Sequence, residues 1–212
     1  MEQNPQEKQS KPDLKKGAPV GATLRSFKDY TEEKWTIVKS MDELWNNSVS
    51  KEKIVIRGNL DINFDITESP DVEINGDLRC KSISGKGTIY VGESLKGDAI
   101  NMATVRAASI VCSSINCGEI AAHGEINSNE IAGNEIRAHE IHVTNALACK
   151  MIYAKRIYAG SITASQIIAE DVEAKTSIDC DTIKAKRAKA QGIFATFEKV
   201  IDEIVETGPH QE

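Results

Sequence analysis

Three kinds of side chain in this sequence have the intrinsic reactivity for chemistry, and their spacing decides whether they perform any. Cysteines stand at Cys80, Cys112, Cys117, Cys149 and Cys180. As thiolates they would bind zinc or attack an electrophile, which requires clustering or an electropositive neighbour, yet no Cys-x-x-Cys spacing occurs. His123, His139 and His142 lie close in sequence, and the last two can meet on one corner, but no third ligand or orienting acid accompanies them. The stretch Gly92-Glu93-Ser94-Leu95-Lys96-Gly97 has glycines at the spacing of a phosphate loop. It lacks the lysine-serine ending and the following helix that such a loop needs. Glu119, Glu125, Glu130, Glu135 and Glu140 form a run of carboxylates at nearly equal intervals. They suit a basic partner or a cation, or else keep strand edges solvated. No catalytic residue, cofactor site or metal site follows from these patterns, and the expectation is a protein that is not an enzyme.

The interval of those glutamates belongs to a larger pattern. From Val105 to Ile193 an aliphatic residue returns at nearly every fifth position, including Ile110, Ile115, Ile120, Ile126, Ile131, Ile136, Ile141, Leu147 and Ile152. Two positions after each comes a mostly small residue, among them Ala107, Cys112, Cys117, Ala122, Ser128, Gly133 and Ala138. A period of five fits neither a helix nor one long strand. It fits a short strand and a corner: the aliphatic and small residues share the inward face, the residue between them points out, and the last two turn the chain. Stacked coils then bury β-branched ladders. The fold class expected is all-β, a single-stranded parallel β-helix. Four of the cysteines (Cys112, Cys117, Cys149 and Cys180) occupy the inward small slot, where a thiol acts as a small hydrophobe.

The interruptions bear on the number of sides. One extra residue falls between Ile120 and Ile126, another between Ile141 and Leu147, and a third between Val172 and Ile178. If the first two mark the same corner of successive coils, a coil holds four pentads. That four-sided register stacks Ile120, Ile141, Ile162 and Ile183 inside. Outside, it aligns Asn116, Arg137, Tyr158 and Asp179, and it sets Glu135 beside Arg156 and Glu119 beside Glu140.

The Ile-x-Ala-x-x pattern over residues 105–193 of 212 resembles the pentapeptide-repeat family, which implies a four-sided β-helix with an aliphatic residue at the centre of each five. That family's small residue lies two before the large one, whereas here it lies two after. A looser resemblance, through Gly118-Glu119-Ile120-Ala121-Ala122 and Gly160-Ser161-Ile162-Thr163-Ala164, is to bactofilins, which implies a polymer-forming cytoskeletal β-helix.

The chain divides by texture. Residues 1–33 are polar, with Pro5, Pro12 and Pro19, and are expected to be a disordered tail. Residues 34–52 are expected to cap the solenoid, since Ser40 and Glu43 form a capping box and Met41, Leu44 and Trp45 share a helical face. Residues 53–193 are expected to form one continuous stack, the less regular first coils being marked by Gly58-Asn59-Leu60 and Gly76-Asp77-Leu78. Residues 194–207 place Phe194, Phe197, Ile201, Ile204 and Val205 at helical spacing, which predicts an amphipathic C-terminal cap helix, and 208–212 form a tail.

Charged residues make up 27%, hydrophobic 40% and aromatic 5%, as suits a narrow core of Ile and Ala. The formal charge of -6 disfavours nucleic acid and anionic membranes. No apolar run is long enough to span a bilayer and the start has no signal-peptide core, so a cytoplasmic protein is expected.

The function expected is a non-catalytic structural or protein-interaction scaffold, its partner being a protein or a second copy, with no small-molecule substrate evident. Candidate contact residues are the five glutamates together with Arg137, Tyr153, Tyr158, Phe194, Phe197 and Ile201. A bactofilin-like polymer is the alternative. A DNA mimic, as among pentapeptide-repeat proteins, is a second alternative; it needs long acidic stripes, whereas the residues after Ala148 turn basic.

Overall fold

Residues 35–207 are described by a computed structural model. The expected tails, residues 1–33 and 208–212, lie outside the described residues. The described chain is almost entirely β, with parallel coils stacked into a β-solenoid of about 10 turns.

The first elements are β1 (Trp35–Val38), α1 (Met41–Asn47), β2 (Ile54–Ile56), β3 (Asn59–Ile66), β4 (Val72–Ile74), β5 (Leu78–Ser84) and β6 (Thr88–Val91). They are followed by β7 (Ser94–Ala107), β8 (Ser109–Ala122), β9 (Glu125–Ala174), β10 (Ser177–Ala190) and β11 (Gly192–Glu206). Each later strand runs around corners as it climbs, so one strand covers several sides.

Three sides close a coil, not four. On one side Leu78, Leu95, Ile110 and Ile126 stack in register; on the second, Ile83, Ile100, Ile115 and Ile131; on the third, Ile89, Val105, Ile120 and Ile136. Three pentads account for the turn length. The Ser94–Ser109 hydroxyl contact spans 15 residues and the Lys186–Glu170 pair 16, while the looser early coils span 18 from Asn59 to Asp77 and 17 from Asp77 to Ser94.

The four-sided register is thereby corrected. Ile120, Ile141, Ile162 and Ile183 are all buried, but Ile120 pairs with Ile136, Ile162 with Ile178, and Ile183 with Ile167. The reason lies in the extra residues. The first, at His123-Gly124, turns the corner where Gly124 N–H reaches the Ala108 carbonyl. The second and third, at Thr144-Asn145 and Lys175-Thr176, share another corner, where Thr176 N–H reaches the Gly160 carbonyl. A β-carbon on Gly160 would collide with the Asn145 carbonyl oxygen, so the bulge requires glycine beside it. Two bulges on different corners had the spacing of a longer coil.

The core consists of these ladders, with the aliphatic side chains fully or nearly fully buried. Each buried Ile contributes roughly 1.5–3 kcal/mol, which explains how a core almost without aromatics holds. All five cysteines are buried. Burial pushes the thiols of Cys117, Cys149 and Cys180 up to about 11 and that of Cys80 to about 12, from an ordinary 9.0, and moves Cys112 in the same direction. Two outcomes follow. The thiols should react slowly with a maleimide in the native protein and rapidly after denaturation; fast native labelling would contradict the inward placement. A raised thiol pKa also means that ionisation favours the unfolded chain. The urea midpoint should therefore hold steady up to about pH 9 and fall as pH rises towards 11.

The two ends differ. At the N-terminal end Ser40 caps α1, accepting from Glu43 N–H at 3.2 Å, and Leu44 is fully buried while Met41 packs on the core. The next residues seal β2: Val49 N–H donates to the Val55 carbonyl, and Val55 N–H donates to Ser48 Oγ, both at 2.9 Å. The short helix expected within 34–52 is present as α1, while Trp35–Val38 joins the stack as β1, paired with β3.

The expected C-terminal helix over 194–207 is corrected: residues 192–206 form β11, which adds another coil on β10. Ile178 pairs with Ile193 and Ala188 with Ile204, so the template of β10 overrides the helical spacing of the apolar residues. A register shift between Cys180 and Thr182 absorbs the extra residue around Phe197.

Candidate functional site

The five glutamates do not form one surface. Glu130 stands in register with Ser114 on one side, while Glu119 and Glu135 are neighbours on another. Glu119 meets Arg106 at 3.8 Å, and Glu135 pairs with Arg137. Glu140, whose side chain is 13% exposed, forms an ion pair with Arg156 Nη2 at 2.6 Å and lies 2.8 Å from His142 Nε2. Glu125 and Glu130 are exposed. A three-sided turn divides the run among the sides, and Glu119, Glu135 and Glu140 enter separate ion pairs. The pair with both side chains exposed, Arg106 with Glu119, is worth about 0–1 kcal/mol.

The expected outward neighbours change accordingly. Arg137 lies over Tyr153, its guanidinium carbon 4.9 Å from the ring centroid, and not beside Tyr158. Tyr158 instead stacks on His142 at 4.8 Å. Arg156 meets Glu140 rather than Glu135, and Glu119 meets Glu135 rather than Glu140. His142 is thus engaged by Glu140 and Tyr158, and among the described residues no group of three or more His, Cys, Asp or Glu is placed to hold a metal ion. The glycine-flanked stretch at 92–97 leads into β7, with Gly92 N–H on the Ile74 carbonyl, and forms no phosphate cradle.

Sequence reasoning missed the network Arg156–Glu140–His142–Tyr158 and the column containing Arg137 and Tyr153. Both become visible once residues 15 or 16 apart, rather than four pentads apart, are compared.

The remaining candidates, Phe194, Phe197 and Ile201, lie on β11. Phe197 is 81% exposed and Phe194 64%, and Val200, Ile204 and Val205 on the same strand are also exposed. Ile201 differs, packing partly buried against the core. These residues sit on the last coil because β11 follows β10 in register, and among the described residues no strand pairs with the other edge of β11. Polar neighbours frame the apolar coil, with Lys184 bonded to Glu198 at 3.2 Å and Arg187 in register with Glu203. An open parallel edge with unpaired N–H and C=O groups beside exposed aromatic and aliphatic side chains is a template for another chain. No helix among the described residues is long and apolar enough to cross a membrane. Comparisons of the chain with family models, curated proteins and solved structures found nothing that matches it.

Proposed function

We propose that this protein is a non-catalytic β-solenoid scaffold that associates through its last coil with the same coil of a second copy. The observation that carries the reading is the concentration of exposed Phe194, Phe197, Val200, Ile204 and Val205 on β11, a terminal strand of fifteen residues that pairs only with β10 among the described residues. The other end supports a closed pair over a filament. The edge there, β1, is only four residues long, Ser48 and Val49 already satisfy the backbone of Val55, and α1 buries Leu44, so the fifteen-residue β11 of one copy finds no edge of matching length there. A contact between identical ends is self-complementary, as a two-fold dimer requires.

Charge opposes a DNA mimic. Acidic and basic residues alternate from coil to coil, Asp171 pairing with Arg187 at 3.1 Å and Glu173 with Lys189 at 2.7 Å. The resulting surface is a mosaic, without a long acidic stripe.

Sedimentation velocity of the full chain over a range of concentrations tests the proposal. A monomer–dimer equilibrium is expected. Filaments would support the bactofilin-like alternative, and a monomer at every concentration would remove self-association.

A further inference from the structure

A different surface, which the scaffold reading does not use, has a gap in an otherwise continuous column of planar side chains. Along the third side the outward residues form one column: Tyr90 in register with Arg106, Arg106 with Ala121, and Ala121 with Arg137. The column continues to Tyr153, on which the Arg137 guanidinium already stacks. Large planar groups thus occupy successive rungs, except at Ala121, where one rung is empty. The gap opens into a groove of about 620 Å³ lined by Tyr90, Arg106, Ala121, Arg137, Glu119 and Glu135.

The chemistry of the missing rung is specific. Neighbouring coils lie ~4.8 Å apart, so a flat guest in the plane of Ala121 would sit ~4.8 Å from a rung on either side. That is within the ~6 Å at which a cation attracts the face of an aromatic ring. Both neighbours are arginines with exposed side chains, 59% and 66%; Arg106 meets Glu119 only at 3.8 Å, and Arg137, held by Glu135, has Tyr153 on one face, which leaves its other face for a guest. Two cations above and below favour an electron-rich ring. Beside the gap, in the next column, stand the carboxylates of Glu119 and Glu135, which accept hydrogen bonds and donate none. The ring's edge must then carry N–H donors. Among the common bases, guanine offers two adjacent ones, N1–H and the exocyclic amine, matched to a single carboxylate. Adenine presents an amine next to an acceptor, which a carboxylate repels.

We propose that the notch over Ala121 binds a guanine base, stacked between Arg106 and Arg137 with its N–H edge on Glu119. Isothermal titration calorimetry of the full-length protein with GMP and AMP tests it. AMP carries the same phosphate and so controls for simple anion binding by the arginines. GMP is expected to bind and AMP to bind roughly tenfold more weakly, the discrimination that one bidentate contact supplies. Ala121→Leu fills the rung on the outer surface and should abolish GMP binding while leaving the circular dichroism unchanged. Arg106→Ala provides an independent loss, and Glu119→Gln should bring GMP and AMP to similar affinity. Absence of GMP binding, equal binding of AMP to the unaltered protein, or GMP binding that survives Ala121→Leu would each overturn the proposal. Tighter binding of N-acetyltryptophanamide than of GMP would also overturn it, assigning the notch to an aromatic side chain of a protein partner.

Discussion

Ile136→Ala is expected to destabilise the solenoid by about 2–5 kcal/mol, the usual cost of removing a fully buried branched side chain and leaving a cavity. Ile136 is completely buried, and its ladder neighbour Ile120 has no second partner to replace the lost contact from above. A narrow core of single ladders cannot collapse around a gap without pulling the backbone hydrogen bonds of two coils out of register. The adjacent residue provides the control. Arg137→Ala removes an exposed guanidinium that pairs with Glu135 and covers Tyr153, and should cost about 0–1 kcal/mol. Urea denaturation followed by circular dichroism compares the two. Similar midpoints for both variants would show that the inward and outward assignments of neighbouring positions are mistaken.

The second large effect concerns assembly. If the chain pairs through its last coil as proposed, Phe194→Arg with Phe197→Arg is expected to leave it monomeric at concentrations where the unaltered chain is paired. The two rings are the largest exposed apolar groups on β11. In a two-fold contact each substitution enters twice, so like charges meet across the interface as well as apolar area being lost. Each aromatic anchor at the centre of an interface typically accounts for about 2 kcal/mol or more, so the doubled loss should weaken association by well over tenfold. Both side chains point away from the core, so the melting temperature of the variant monomer should be little altered. Sedimentation at matched concentration is the measurement. Undiminished dimerisation would place the interface elsewhere, and a large fall in thermal stability would mean the rings support the coil rather than a partner.

The inward half of this fold was legible because burial enforces a rule at every fifth position. Ile and Ala recur where the core needs them, and Cys112, Cys117, Cys149 and Cys180 stand where the motif asks for something small. Leu60 and Leu78 likewise announced the early coils, and they are in register. The number of sides was not legible, because a pentad looks the same whether three or four of them close a turn. Only the insertions broke that degeneracy, and two of them on different corners imitated a longer coil. The outward columns depend wholly on that number, so Arg137 found Tyr153 in place of Tyr158, and the five glutamates were divided among three sides. The C-terminal strand failed for another reason. Phe194, Phe197, Ile201, Ile204 and Val205 have helical spacing in isolation, but the open edge of β10 supplies a row of backbone partners that an isolated segment lacks. Lys199 stands where Ile183 would pair with another aliphatic residue, so the five-residue rule lapses just where it would have marked a strand instead of the expected helix.

Association through the last coil is tested most directly by distances between copies. A spin label at Val205→Cys, on the exposed strand β11, is compared with one at Val49→Cys, exposed at the opposite end. The native cysteines are buried and remain unlabelled. The last-coil contact predicts a short distance between copies for the label at 205. It predicts none within range for the label at 49, since two stacks of about 10 turns at ~4.8 Å per turn would intervene. A short distance at 49 with none at 205, or no distance at either position, would contradict it.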